Sequence, residues 1–445
     1  MKLALTNALL IDGRGAAVER ATILIRDGVF EACGANITIP EDTEQRIDVE
    51  GRAVLPGLID LHAHVIGGNR AQGSNRYAYE TLAYQLINPD MPYRDPIGMV
   101  TLRTVPAIFE FVSQGITTIR DLGGRDFLAC DLRDAIDQGL IVGPRVLAAG
   151  VPVTSTGGVG AWWGGEADGS DGVRQAVRQR VKMGVDLIKC FGDGGPDWST
   201  LGYTDDEFRT IVDEAHRKKR TCTCHCMAEE AIIAASQAGF NSIEHCWLGT
   251  AKSAAVMHDN GTIAVPTIAN AYHIIHDGPK YGMVGEGFGF FDSVGFGRVV
   301  EAFKELVKAG VPIAMGSDVG GNEAHRHGHN LLELPFYVKY GLSNMDAIKA
   351  ATSTAAQVVN LDHLIGSIEP GKIADLAIFD GNPLEDISVV LNGAHEVYRD
   401  GRLIYSRERE WRSRSSGYRE AATAWSDFEP EGAKDSYRVW NSESY

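Results

Sequence analysis

Short apolar runs alternate with longer amphipathic stretches through the middle of the chain. Amphipathic helices are predicted at Gly172–Met183, Asp205–Lys219, Ala228–Ala238 and Val299–Ala309. Eight of the apolar runs have the length and composition of strands: Leu58–His64, Thr117–Asp121, Arg145–Ala149, Leu187–Phe191, Thr221–His225, Ser242–Cys246, Ile263–Thr267 and Ile313–Asp318. Successive strand–helix units predict an α/β protein with a (β/α)8 TIM barrel over residues 54–365, whose functional side chains follow the carboxyl ends of the strands.

A different pattern of short strands and turns occupies both ends of the chain. Asp-Gly pairs separate several of these strands, as expected for hairpins. The predicted strands are Leu3–Ile11, Thr22–Arg26, Val29–Cys33 and Arg46–Val49 near the start, and Ile373–Asp380, Val389–Leu391 and His395–Tyr405 near the end. We therefore expect one small β-sandwich domain built from residues 1–53 and 366–408.

Three segments are predicted to lie outside regular structure. Ile66–Met99 and Ala269–Gly297 read as long loops, and the glycines of the second loop fit a mobile lid and a plain surface excursion about equally. The tail, residues 409–445, carries mixed charge and several tryptophans. It is expected to pack on the barrel or on a neighbouring subunit, and the sequence leaves both possibilities open.

Composition and charge narrow the function. Hydrophobic residues make up 44% and charged residues 23% of the 445 positions, as in ordinary globular proteins. The net charge of −17 argues against nucleic-acid binding and against a polybasic membrane patch. No signal-peptide-like segment and no membrane-spanning apolar run is recognisable. We expect a cytoplasmic homo-oligomer that acts on a small molecule.

The seven cysteines do not form a predicted metal site. Side chains alternate along a strand, so Cys222, Cys224 and Cys226 face away from His225. Cys190 and Cys246 directly follow Lys189 and His245, so they point away from these two residues in the same way. We interpret all five as small apolar residues that pack strands against helices.

Polar residues at the ends of the predicted strands suggest a metal centre. His62 and His64 are one residue apart, so an extended strand presents both imidazoles on one face. By the same alternation the inward positions at the other strand ends are Lys189, His225, His245 and Asp318. Imidazole and carboxylate groups are common ligands of divalent metals, and several costly buried polar groups on one rim are otherwise hard to explain.

Lys189 is an unusual residue in such a site. Two nearby divalent ions would lower its pKa and favour the neutral amine. A neutral lysine amine can add CO2, and the resulting carbamate is an anionic ligand with two oxygens that can bridge two metals. An unmodified lysine paired with an acid is the alternative.

Together these motifs resemble the amidohydrolase superfamily, in its two-metal subtype with a bridging carboxylated lysine. The resemblance extends from Leu3 to about Arg407. Within the superfamily, the motifs TSTGG (154–158), IKCFGDGG (188–195) and HGHN (327–330) follow one another in an order similar to that in the prolidase and imidazolonepropionase-like branch. The residues on which the resemblance depends are 55–65 (LPGLIDLHAHV), 115–124 (GITTIRDLGG), 184–195 (GVDLIKCFGDGG), His225, 242–246 (SIEHC), 316–320 (GSDVG), 351–359 (ATSTAAQVV) and 366–380 (GSIEPGKIADLAIFD). That branch includes Xaa-Pro and other dipeptidases, hydrolases of N-acyl amino acids, and phenylurea or carbamate hydrolases.

The resemblance implies a role for each ligand. His62, His64 and Asp318 would hold the more buried of two divalent ions, expected to be Zn2+, and His225 and His245 the other. N6-carboxylated Lys189 and a hydroxide would bridge the ions. Asp318 would move the proton from the nucleophile to the leaving nitrogen during hydrolysis of an amide or peptide-like C–N bond. A barrel that binds metal without catalysis is the less favoured reading.

One departure from the branch bears on the substrate. Dipeptidase-like relatives carry a carboxylate-binding histidine where this chain has Val159, and Trp162 and Trp163 add apolar bulk beside it. Aryl amides, ureas or carbamates are therefore an alternative to dipeptides and N-acyl amino acids.

Other residues could still bind a substrate carboxylate. The candidates are Arg120, Tyr203, Tyr272 and His327. Arg120 is equally suited to a structural ion pair near Asp121. The neighbouring His325 and His329 are expected to be solvated loop residues.

Overall fold

The computed structural model describes residues 2–65, 97–124, 126–195, 200–281, 289–321 and 324–408. Most of the predicted loop Ile66–Met99, the glycines at 282, 285 and 287, and the tail 409–445 lie outside these residues. The side chain of Trp162 also lies outside the description, although its backbone is included.

Strands from both ends of the chain form one hydrogen-bonded sheet. Its order is β15-β14-β13-β5-β1-β2-β3, with β4 paired to β1. The strands are β1 (Lys2–Ile11), β2 (Ala17–Arg26), β3 (Val29–Gly34), β4 (Gln45–Asp48), β5 (Ala53–Pro56), β13 (Leu376–Phe379), β14 (Glu396–Arg399) and β15 (Arg402–Ser406). The antiparallel pairing of β5 with β13 joins the two ends of the chain. A two-layer sandwich, the domain boundaries and the homo-oligomer stay predictions.

The middle of the chain alternates parallel strands with helices. Its strands are β6 (Leu58–Ala63), β7 (Ile116–Asp121), β8 (Arg145–Ala148), β9 (Leu187–Phe191), β10 (Thr221–Cys226), β11 (Ser242–His245) and β12 (Ile263–Val265). Its helices are α1 (Ile97–Ser113), α2 (Leu128–Asp137), α3 (Gly169–Lys182), α4 (Asp205–Arg217), α5 (Glu229–Ala238), α6 (Ala251–Asp259), α7 (Ile268–His276), α8 (Gly289–Lys308), α9 (Glu333–Lys339), α10 (Asn344–Ala350) and α11 (Ser353–Val358). The mixed α/β content predicted from the alternation is confirmed.

The parallel strands form two arcs, β6-β7-β8 and β9-β10-β11-β12. Isolated parallel bridges extend the pairing at Val153–Cys190 and Ala264–Ile313, and a third bridge joins Ala63 to Val319. The predicted metal ligands His62, His225 and His245 lie at the carboxyl ends of β6, β10 and β11, and Lys189 lies in the middle of β9.

The predicted eighth strand, Ile313–Asp318, is wrong as a regular strand. Only Ile313 and Val319 form bridges, and the residues between them are irregular. Gly316 lies so close to the backbone of His62 that a Cβ there would come within 2.9 Å of the His62 nitrogen. Asp318 adopts a φ of 60°. The left-handed backbone conformation of Asp318 is incompatible with a regular strand. The segment therefore positions Asp318 without forming a continuous series of strand hydrogen bonds.

Two other predicted segments also differ. The predicted strand Val389–Leu391 is wrong, because the 3-10 helix Ile387–Asn392 occupies it. Asp386 begins that helix by accepting a hydrogen bond from the Ser388 backbone nitrogen. The predicted loop Ala269–Gly297 is wrong at both ends, which are occupied by α7 and the start of α8.

The strands pack against the helices through a large buried core. Cys190, Cys222, Cys224, Cys226 and Cys246 are buried in this core, as expected for small apolar residues that pack strands against helices. Among the helices described, none combines the length and apolarity that crossing a bilayer requires.

Candidate metal centre

Three buried side chains converge where β6 and the irregular eighth segment lie side by side. His62 is on β6, His64 follows it, and Asp318 comes from the eighth segment. The Nε2 atoms of His62 and His64 lie 3.3 and 3.2 Å from the same carboxylate oxygen, Oδ1 of Asp318. One possible ligand atom from each residue lies within 4.8 Å of the others, a spacing that suits one metal ion.

Hydrogen bonds on the far side of each ring fix which nitrogen carries the proton. His62 donates from Nδ1 to Glu244 Oε2 at 2.9 Å, and His64 donates from Nδ1 to the Gly123 carbonyl at 2.7 Å. Carboxylate and carbonyl oxygens only accept, so each neutral ring presents a lone pair at Nε2. Two such lone pairs facing one oxygen of Asp318 require a cation or a proton between them. The residues therefore fit a divalent metal.

The electrostatics of His62 and Asp318 agree with that assignment, and those of His64 favour the protonated ring while no cation competes with the proton. Burial lowers the pKa of His62 well below its usual value, which favours the neutral ligand form. Burial acts in the same direction on His64, but the hydrogen bond and charge of Asp318 outweigh it and raise the pKa. Burial would raise the pKa of Asp318, yet the two histidines lower it and keep the carboxylate ionised.

The other predicted ligands lie next to this group. The ring of His245 is centred 4.9 Å from that of His62 and 4.3 Å from that of His225. Burial lowers the pKa of both His225 and His245 well below the usual value. Lys189 is buried, with Nζ 5.4 Å from the centre of the Phe191 ring, and burial lowers its pKa despite the nearby carboxylates. Their roles as ligands stay predictions.

The alternation of side chains along regular strands does not account for the orientation of all of these residues. His245 has a φ of 71° and Asp318 a φ of 60°, both in the left-handed region. Thr267, at a φ of 49°, lies 2.7 Å from His245 Nδ1 through its hydroxyl oxygen. Non-glycine residues in this conformation cost of order 1 to 3 kcal/mol each and persist where the surroundings enforce them. The inward orientation of His245 and Asp318 therefore depends on bends at the strand ends.

A buried carboxylate joins the two segments that carry the first ligands. Asp60 Oδ1 accepts from the backbone nitrogens of His62 and Ser317, at 3.1 and 3.0 Å. Its Oδ2 accepts from the Ser317 hydroxyl at 2.5 Å and from Asn330 Nδ2 at 2.7 Å. Burial raises the pKa of Asp60 to about 6, against the effect of these hydrogen bonds. This network holds the backbone of β6 against that of the eighth segment.

Arg120 lies in a buried polar network behind His62. Its Nη2 donates to Glu244 Oε1 at 2.7 Å, Nη1 to the Ser242 hydroxyl at 3.0 Å, and Nε to the Leu61 carbonyl at 2.5 Å. The alternative of a structural ion pair agrees with the buried contact to Glu244, and the adjacent Asp121 accepts from backbone nitrogens. A role for Arg120 in substrate binding stays a prediction that these contacts do not favour.

An apolar cluster borders the histidines. Val159 is buried in it together with Phe191 and Trp247, and Trp163 packs against it. The Trp163 ring is centred 5.8 Å from that of His64, and the Trp247 ring 5.3 Å from that of His245. This side of the site can contact the apolar part of a ligand.

The predicted substrate contacts at Tyr203, Tyr272 and His327 have other partners. Tyr203 is a buried residue whose hydroxyl donates to the Ala167 carbonyl at 3.1 Å. Tyr272 stacks on His276, with ring centres 4.4 Å apart. His327 donates from Nε2 to the His64 carbonyl at 3.1 Å, and burial lowers its pKa to about 4. Their roles in substrate binding stay predictions.

The prediction that His325 and His329 are solvated is wrong. Both are buried, and their rings are centred 4.9 and 5.0 Å from that of His273 on α7. Helix α7 packs over this loop at a position where the sequence predicts irregular structure.

Asn270 is a residue of the site that the sequence analysis missed. It lies in the first turn of α7 and donates from Nδ2 to Asp318 Oδ2 at 2.5 Å. Because Oδ1 faces the two histidines, Asn270 distinguishes the two oxygens of Asp318. The sequence predicts a loop at this position. A predicted helix directly after the seventh strand would have indicated that Asn270 faces the site.

Comparison with known proteins agrees with this geometry. The sequence profile of the Amidohydrolase family matches residues 53–404, most of the chain. The chain belongs to the amidohydrolase family. Ochratoxinase from Aspergillus niger is 28% identical over 434 residues, covering 89% of this chain and 85% of that protein. Its crystal structure covers 91% of this chain and 96% of its own, with a TM-score of 0.76 and 27% identity.

Two further relatives belong to the predicted branch. Imidazolonepropionase from Geobacillus kaustophilus is 22% identical and covers 87% of this chain and 90% of that protein. The crystal structure of a Xaa-Pro dipeptidase with bound methionine in the active site has a TM-score of 0.80 at 29% identity. It covers 91% of this chain and 100% of its own.

The comparisons confirm the predicted family and the prediction of an enzyme. This amidohydrolase hydrolyses C–N bonds, and the folds it resembles are of the TIM-barrel type with mixed α/β content. The family generally binds divalent metals, and His62, His64 and Asp318 form a possible site for one.

Proposed function

We propose that this amidohydrolase cleaves the C–N bond of a Xaa-amino-acid dipeptide or an N-acyl amino acid at a two-metal centre. The proposed ligands are His62, His64, Lys189, His225, His245 and Asp318. The main observation in support is the pair of Nε2 lone pairs that face Oδ1 of Asp318. The likeness to a Xaa-Pro dipeptidase supports an amide substrate.

The residues of the chain have distinct tasks in this reaction. The proposed ligands would hold divalent ions, which we propose to be Zn2+, and bound ions would supply polarisation of the scissile carbonyl and acidification of the attacking water. Asp318 accepts the proton of that water at Oδ2 and delivers it to the leaving nitrogen. Asn270 orients Oδ2 for this transfer by donating to it. Lys189, whose buried amine is shifted toward the neutral form, is carboxylated by CO2.

The finer architecture belongs to the same proposal. We propose that the seven parallel strands and the eighth segment form a closed (β/α)8 barrel. The isolated bridges at Val153–Cys190, Ala264–Ile313 and Ala63–Val319 support closure, because each links segments that the two arcs leave unpaired. The ligands then lie on the rim that holds the active sites of such barrels.

Purified protein is expected to contain about two divalent ions per chain, because the proposed ligands fill two adjacent sites. Elemental analysis after expression with added metal and bicarbonate measures this stoichiometry. A value that remains near one ion per chain contradicts the two-metal proposal. If the protein binds two ions and hydrolyses none of the substrates described in the next paragraph, the result favours a barrel that binds metal without catalysis.

The substrate class is tested with one panel. It contains Xaa-amino-acid dipeptides, N-acyl amino acids, and aryl amides, ureas and carbamates, assayed for release of the amine. Activity confined to the first two groups supports the proposal. Activity confined to aryl compounds supports the second candidate, which the apolar cluster around Val159 and Trp163 favours.

Val159→His is expected to shift the preference toward substrates with a free carboxylate. A charge-assisted hydrogen bond to a carboxylate contributes roughly 1.5 to 3 kcal/mol, or about one to two decades in affinity. Neutral aryl substrates gain nothing from the histidine and lose apolar contact. The ratio of kcat/KM for a dipeptide to that for an aryl amide measures the shift.

Val159→Leu is the matched control, because it alters the size of the side chain and keeps it apolar. It should leave the preference ratio nearly unchanged. Equal ratios for Val159→His and Val159→Leu, with both proteins folded, would show that position 159 does not set specificity.

A further inference from the structure

Glu244 is a buried carboxylate near the candidate metal centre with four side-chain hydrogen bonds, although no step of the proposed reaction uses it. Its side chain is fully buried on β11, one residue before the predicted ligand His245. Oε2 accepts from His62 Nδ1 at 2.9 Å, and Oε1 accepts from Arg120 at 2.7 Å and from the Ser242 hydroxyl at 3.0 Å. The Thr223 hydroxyl also donates to Oε1. Each oxygen thus has a separate task.

The contact with His62 determines the tautomer of that ring. A carboxylate accepts from Nδ1–H, so Nε2 must carry the lone pair that faces Asp318. The negative charge of Glu244 also makes the His62 ring a more basic ligand. Without the carboxylate, the proton could move to Nε2, and the nitrogen that faces Asp318 could no longer bind a cation.

The contacts on Oε1 explain how a buried charge is tolerated there. Arg120 balances the charge, and its other donors are held by Ser242 and the Leu61 carbonyl. A buried ion pair stays in place when its remaining hydrogen-bonding groups are also satisfied. Arg120, Ser242 and Thr223 therefore fix the carboxylate, and the carboxylate fixes His62.

We propose that Glu244 is a positioning residue that fixes the tautomer and orientation of His62 and thereby strengthens metal binding at the site of His62, His64 and Asp318. This inference rests on the proposed two-metal function. It assigns to Arg120 the task of holding Glu244. Mutation of such partners of metal-ligating histidines typically lowers metal affinity about 10- to 100-fold.

The test measures Zn2+ binding to metal-free protein, without a substrate. Wild type, Glu244→Gln and Asp375→Asn are stripped with a chelator and titrated with Zn2+ against a chromophoric competitor. Glu244→Gln should weaken one of the two sites about 10- to 100-fold and leave the other nearly unchanged. Asp375→Asn makes the same acid-to-amide change at a buried carboxylate whose partner is Arg145 and which has no contact with His62 or Glu244, so it should bind Zn2+ like the wild type.

Glu244→Asp protects the test against misfolding of Glu244→Gln, since it keeps a negative charge for Arg120 and shortens the reach to His62. It should also weaken one site, with a melting temperature of the metal-free protein close to that of the wild type. Unchanged Zn2+ affinity in both Glu244 variants, or a lowered melting temperature alone, overturns the inference while the metal centre stands. A wild type that binds no Zn2+ overturns the proposed metal centre and this inference together.

Discussion

Asp318→Asn is expected to lower kcat by about 100- to 10,000-fold or more, with the fold retained. General acid–base catalysis contributes a factor of this size, and Asp318 would in addition be a metal ligand. Oδ1 lies 3.3 and 3.2 Å from the Nε2 atoms of His62 and His64, while Oδ2 receives a hydrogen bond from Asn270. An amide keeps the shape but accepts no proton at neutral pH. Initial rates on the best substrate of the panel measure the effect.

Asp375→Asn is the matched control for this variant. Asp375 is also a buried carboxylate, but its partner is Arg145, at 2.6 Å, and its other oxygen accepts from the Asp400 backbone nitrogen. Its replacement should lower the melting temperature and leave kcat of the folded protein nearly unchanged. If Asp318→Asn turns over substrate at the wild-type rate, Asp318 does not carry the proton.

Most of the strands and the grouping of His62, His64 and Asp318 were predictable because they depend on local patterns. Apolar runs of strand length, glycines at helix ends and the spacing of His62 and His64 are all readable from neighbouring residues. The bounds of β9, Leu187–Phe191, agree with the prediction at both ends. Asp318 was found because it follows an apolar run, although that run is not a regular strand.

Alternation failed where the backbone bends. It implies that Glu244 points away from the site if His245 points toward it. In the structure Glu244 contacts His62 and Arg120, and His245 approaches the other ligands through a φ of 71°. A positive φ at a histidine has no sequence signature comparable to that of glycine. The partners that orient the ligands therefore required the tertiary structure.

The residues that hydrogen-bond to one another around the site come from distant parts of the sequence. Asp60 bonds to Ser317 and Asn330, and Asn270 bonds to Asp318. Only packing of the segments against one another brings such pairs together, so no local pattern identifies them. The same limit applies to Arg120, because its ion-pair partner Glu244 lies 124 residues away along the chain.

Lys189→Ala is expected to lose most of its activity and to regain part of it when a short carboxylic acid is added. Lys189 is buried at a relative exposure of 2%, so its removal leaves a cavity beside Phe191 and next to the metal ligands. A small carboxylate such as acetate or propionate fits such a cavity and supplies the two anionic oxygens that the carbamate would provide. Activity and metal content against acid concentration measure the recovery.

Asp318→Asn, assayed with the same acids, separates replacement of the carbamate from a general effect of added anions. It should not recover, because its defect lies in proton transfer and its lysine is intact. Recovery of Lys189→Ala alone, with metal content rising in parallel, supports the bridging role. Full activity of Lys189→Ala without any acid would remove Lys189 from the reaction, since neither its charge nor its carbamate would then be needed. The lowered pKa of the buried amine would in that case be only a consequence of its position in the core.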